Sequence, residues 1–222
     1  MFSRAIQQSG AWTHPSWKVL TAAEAERVGS YAARLVGCEE GTEGQQVELL
    51  ECLQAVELAE LLSLQSSSFV SPPAAVIDGA LLTRQPAESV ARGEINVREL
   101  VIGANRDEGL LDTAQLLLDP GLYEVLSQDW DHWGPLIFFG AREEGGESTA
   151  TQQDREQAYQ VLQHYIGDIA NFDAEHFDSL TMMLTDLYWY CTHSYAEMLS
   201  NQGVTVYQYM FSYKGSPVQS SY

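Results

Sequence analysis

Two stretches of the chain read as β-strands, and they differ in kind. Residues 204–213, VTVYQYMFSY, put Tyr207, Tyr209, Phe211 and Tyr213 on one face and Val206, Gln208 and Met210 on the other. Leu100-Val101-Ile102-Gly103-Ala104 is instead a continuous apolar run, followed at once by the polar Asn105-Arg106-Asp107-Glu108-Gly109. Such a run predicts a strand covered on both faces, as in parallel sheets, whose carboxyl end opens into a polar loop.

The rest of the pattern is helical. Thr21-Ala22-Ala23-Glu24 reads as a capping box, with Val28, Tyr31, Ala32, Leu35 and Val36 at helical spacing behind it and Gly37 as the stop. Residues 46–63 continue the helical pattern until the Ser- and Pro-rich stretch Ser66 to Pro73 breaks it. Further helices are predicted over 110–118, 155–170 and 178–200. In the last, Leu180, Met183, Leu184, Leu187, Cys191 and Met198 form one stripe, read as core. The acidic, glycine-containing segment 142–154 reads as a loop or flexible insertion. The order of helices and strands supports an α/β class, a mostly parallel sheet with covering helices. The strands are too few for a complete doubly wound domain, so a truncated sheet is expected.

Composition narrows the function classes. The 222 residues carry 31 acidic and 11 basic side chains, a formal charge of −20, which repels phosphate backbones and argues against nucleic-acid binding. At 45% hydrophobic residues the composition is that of a globular protein, yet no apolar run reaches the roughly 20 residues of a membrane span. The first residues contain no apolar signal-peptide core. Of the three cysteines, no two are spaced C-x-x-C. Cys38 and Cys52 close a short loop between two helical segments. Cys191 is left as a buried thiol or as the partner of a cysteine elsewhere.

The polar loop after residue 104 is the most informative place for chemistry, because sites on open α/β sheets form outside the carboxyl ends of strands. A carboxylate at Glu108 could there accept the Nδ1–H of a histidine and stabilise the imidazolium. The competing reading makes Asp107 and Glu108 the acidic start of the next helix, favoured by its dipole. Gly146-Glu147-Ser148-Thr149-Ala150 imitates a nucleophile elbow, but Arg142-Glu143-Glu144-Gly145 before it cannot be a buried strand, and it follows the acid instead of preceding it. The five histidines show no metal-binding spacing, and no cofactor is implied.

Four blocks, FSRAIQQSG at 2–10, VIDG at 76–79, VIGANRDEG at 101–109 and VYQYMFSY at 206–213, resemble in order the type-B carboxylesterases and cholinesterases. The resemblance implies that residues 1–222 are part of a single α/β-hydrolase domain. The stretch would begin after the serine elbow and end before the histidine loop, so that only the acid of a Ser-His-Glu triad, Glu108, falls within it. By the same resemblance Ser9 hydrogen-bonds beneath the triad and Trp17 and Phe69 line the acyl pocket. Cys38 pairs with Cys52, and Cys191 with a cysteine further downstream. The parent would then be a secreted or extracellular enzyme that hydrolyses a small carboxylic ester. The alternative is a non-catalytic cholinesterase-like adhesion module with a protein partner. No metal is implied.

Overall fold

The computed structural model describes residues 2–15, 19–38, 46–66, 74–140, 143–144, 147–167 and 172–213. Three parallel strands form the sheet: β1 (Arg4–Gln8), β2 (Glu99–Asn105) and β5 (Thr205–Phe211), with β2 in the middle. The register sets Gln8 beside Gly103 and Asn105 beside Phe211, so all three carboxyl ends lie along one rim.

Alternation decides what each face does. Leu100, Ile102 and Ala104 of β2 point to one side and are buried. There Leu100 and Ile102 meet Ala196 and Leu199 of the long helix α9 (Phe177–Asn201), Val90 of α4 (Pro86–Ala91) and Val204. The opposite parity aligns Ile6, Val101 and Tyr207 across the sheet. Ile6 is 73% exposed and Tyr207 59%. One face of this sheet is therefore core and the other, within the described residues, is open.

A second core lies among helices. It joins Leu116 of α5 (Leu110–Leu118), Tyr123 of α6 (Gly121–Gln128), Trp130 of α7 (Trp130–Phe139), Leu162 of α8 (Gln152–Ile166), and Leu180 and Met183 of α9. Trp130 anchors it: its ring crosses Phe172 edge to face at 5.7 Å and its indole N–H donates to the Ala158 carbonyl at 3.1 Å. This cluster and the sheet core share α9, which thereby ties the helical layer to the strands.

The predicted elements are present, with instructive shifts. Helix α1 (Ala22–Leu35) opens on the Thr21–Glu24 capping box, and Gly37 follows it at φ 75°. The periodic stretch 46–63 is two helices, α2 (Gln46–Ala55) and α3 (Leu58–Ser66). The Val56 N–H turns back to Leu53 in a tight last turn and the ladder restarts on the Glu57 carbonyl, a break that no glycine or proline announces. Helix α8 starts at Gln152, before the expected 155, because Thr151 and Asp154 form a second capping box. Glu143–Glu144 (β3) and Glu147–Ser148 (β4) pair antiparallel within the segment read as a loop.

Candidate active site

The site is built where β2 ends. The next four residues, Arg106 to Gly109, turn the chain into α5, and their side chains diverge. Asp107 points outward and holds Arg106 at 2.7 Å. Glu108 turns inward and is only 6% exposed. Its Oε1 accepts the Asn105 amide at 2.6 Å and the hydroxyl of Ser9. Ser9 stands at the end of the neighbouring strand β1, and its own N–H is fixed on the Gly103 carbonyl at 2.8 Å. Glu108 thus bridges two adjacent strands at their carboxyl ends. It does not cap the following helix, whose N-cap is Gly109 and whose first-turn acid is Asp112.

Titratable groups follow one another away from this carboxylate: Asp112, Tyr188 and His14. One helical turn on, Asp112 is hydrogen-bonded to the Tyr188 hydroxyl. Although Asp112 as a residue is exposed, crowding around its carboxyl and then the charge of Glu108 raise its pKa. Burial, with the charges of Asp112 and Glu108, pushes Tyr188 up to about 12. The imidazole of His14 is 4% exposed, lies 4.3 Å from the Tyr188 ring, and is pushed down by burial toward the neutral form. Asp112 and His14 also line a cavity of about 270 Å³ whose remaining wall is largely apolar, with Leu116, Leu126, Trp133 and Leu187. The arrangement presents a carboxylate at a sheet rim, with Asp112 leading from it to an apolar hollow, and a carboxylate so placed can accept the N–H of an imidazole.

Helix α9 holds the turn in place. Thr185 Oγ1 accepts the Gly109 amide at 2.9 Å, Thr113 donates to the Gly109 carbonyl at 3.0 Å, and Trp189 donates to the Asn105 carbonyl at 3.2 Å. Thr181 meets Thr113 at 2.7 Å. Sequence reasoning followed the apolar stripe of this helix and missed the polar one. Its signal was present: hydroxyls at 181, 185 and 188 recur at i, i+4 and i+7, one face of a helix.

The other sequence candidates separate clearly. Cys38 and Cys52 form a disulfide, Cα to Cα 5.9 Å. Cys191 is a buried free thiol, pushed by burial up to about 11, away from the thiolate. Ser148 sits in the β3–β4 pair, where its hydroxyl accepts the Ala150 amide at 3.2 Å; this local turn is not a strand-to-helix elbow. Trp17 and Phe69 lie outside the described residues. Among the described residues no helix is long and apolar enough to cross a membrane, and no group of three or more His, Cys, Asp and Glu side chains could hold a metal.

Residues 1–221 match the model of the carboxylesterase family. The chain belongs to the carboxylesterase family. Acetylcholinesterase of Leptinotarsa decemlineata is 27% identical over 228 aligned positions, covering 96% of this chain and 34% of that protein. Acetylcholinesterase of Danio rerio is 33% identical over 49% of this chain and 18% of its own length. This carboxylesterase-family chain therefore spans about a third or less of these two relatives. Among solved structures, a carboxylesterase of Geobacillus stearothermophilus aligns with TM-score 0.58 at 21% identity over 98% of this chain and 40% of that one. A structure described as PNB esterase aligns with TM-score 0.53 at 19% identity over 97% and 38%. The fold is that of an α/β-hydrolase.

Proposed function

We propose that this chain carries the acid arm of a Ser-His-Glu triad that hydrolyses a small carboxylic ester, with Glu108 as the acid and Ser9 as the residue that steadies it. One observation carries the reading. A buried glutamate at the carboxyl end of the central strand is hydrogen-bonded across the rim to a serine on the adjacent strand. In such a triad the serine attacks the ester carbonyl, the histidine takes its proton, and the glutamate holds the imidazole's other N–H and stabilises its charge. No cofactor enters that chemistry. The single elbow-like string of the sequence surrounds Ser148, which lies in the wrong context. In this reading the nucleophile and the base come from family segments that residues 1–222 do not span. The Cys38–Cys52 bridge supports maturation in an oxidising, extracellular compartment.

The test is a chimaera in which residues 1–222 replace the matching stretch of the Leptinotarsa decemlineata acetylcholinesterase. It should hydrolyse a short-chain aryl ester, and Glu108→Gln should cut turnover roughly 10³- to 10⁴-fold, as for the acid of other triads. The 222 residues alone should stay at the buffer rate. Turnover by the isolated chain that Ser148→Ala abolishes would overturn the assignment.

A further inference from the structure

The turn that delivers Glu108 is held by bonds from outside itself. Gly109 is buried at the N-cap of α5, where a backbone N–H has no partner within its own helix. Its acceptor is a side chain of another helix, Thr185 on α9, at 2.9 Å. The Gly109 carbonyl is held in turn by Thr113 at 3.0 Å. A threonine has one hydroxyl hydrogen, and Thr113 spends it there, so Thr181 is the donor in the 2.7 Å contact between the two threonines. The fit leaves no slack, since a Cβ on Gly109 would stand 2.2 Å from the Thr181 carbonyl oxygen. The Gly109 N–H is thereby held by α9 directly, and its carbonyl by Thr113 of α5, which Thr181 of α9 contacts in turn.

We propose that Thr185 is a positioning residue for Glu108: by accepting the Gly109 amide it sets the turn at which the carboxylate reaches Ser9 and the Asn105 amide. The role rests on Glu108 being the acid of the triad. The bland alternative is that Thr185 merely satisfies a buried donor. The two differ in reach. If Thr185 only satisfies a donor, its loss is felt at Gly109. If it positions the acid, its loss is also felt at Asn105, whose N–H is bonded to the Glu108 carboxylate at 2.6 Å.

Hydrogen–deuterium exchange of the 222-residue chain, resolved to single amides by fragmentation, separates them without needing activity. In Thr185→Val the Gly109 and Asn105 amides should both exchange roughly three- to tenfold faster, the range expected for one lost hydrogen bond. Thr185→Ser keeps the acceptor and should protect both. Glu108→Ala should release Asn105 and leave Gly109 protected. If the valine variant loses protection throughout α8, it has unfolded, and Thr185→Ala gives the same readout without the added methyl. Fast exchange at Gly109 with Asn105 unchanged, or no rescue by serine, overturns the proposal. Failure of the triad reading shows separately, as a chimaera indifferent to Glu108→Gln.

Discussion

Gly103 on β2 lies flat against Tyr209 on β5, its register partner: a Cβ built on Gly103 would stand 2.1 Å from the Tyr209 carbonyl oxygen and 2.5 Å from its ring. Neither backbone nor ring can yield without opening the pair that ends at the acid loop. Gly103→Ala should therefore cost about 1–3 kcal/mol, the range of an overpacked core. Urea unfolding of the chain measures it. A variant as stable as the parent would mean that β2 and β5 are not this close.

The Cys38–Cys52 bridge closes a loop with a sequence separation of 14. In the chain-entropy model a loop of that size contributes about 3 kcal/mol. Replacing both cysteines by serine should lower the unfolding free energy by about that amount, with the reduced parent matching the variant. Peptide mapping without reductant should recover the linked pair. Two alkylated thiols in oxidised material would contradict the pairing.

Asp112 makes stability depend on pH, and the sign follows from its raised pKa. In the folded chain its carboxyl binds a proton more tightly than the ordinary value of 3.8 allows, through crowding first and the charge of Glu108 second. From pH 3.8 up to that raised value the folded state carries the extra proton, so stability falls as pH rises through the window. Above it the full penalty persists. Asp112→Asn removes the charge and keeps an acceptor for Tyr188. Its melting temperature should match the parent in strong acid and exceed it at neutral pH. An offset equal at every pH would refute this account.

The open sheet face should make the chain associate, and salt should control when. Ile6 and Tyr207 are exposed on a parallel sheet, a type that is ordinarily covered on both sides. A net charge of −20 opposes contact between copies at low ionic strength, and salt screens it. Light scattering should show association on going to about 1 M salt, where the Debye length falls to about 3 Å. Ile6→Lys with Tyr207→Lys should suppress it. A parent that stays monomeric in high salt would show that the face is not sticky.

What the sequence made legible was whatever rests on local rules. The capping box at Thr21, the apolar run of β2, the polar turn after it and helix α5 over 110–118 all obey propensity and period, and all are present. The break between α2 and α3 was hidden because no breaker residue marks it; the ladder shifts by one hydrogen bond at Val56. Helix α7 was hidden because Pro135 sits inside it, and packing of Gly134 and Trp130 against Ala158 of α8 holds the helix regardless. The site divides in the same way. Glu108 follows a recognisable strand end, whereas Thr185 and Tyr188 lie far away in sequence and reach Gly109 and Asp112 only through the docking of α9, and His14, from the segment after β1, meets Tyr188 there.

Ser9 holds a left-handed backbone, φ 53°, the one non-glycine residue among those described to do so with a positive angle. Glycine would adopt that conformation without steric cost, and asparagine or aspartate nearly so. Two demands therefore pull on one codon in opposite directions. A library at position 9 selected for thermal resistance alone should drift toward glycine, while one selected for a correctly seated carboxylate should hold serine. The distance between the two outcomes gauges how far this chain has traded robustness of its scaffold for the placement of one oxygen atom.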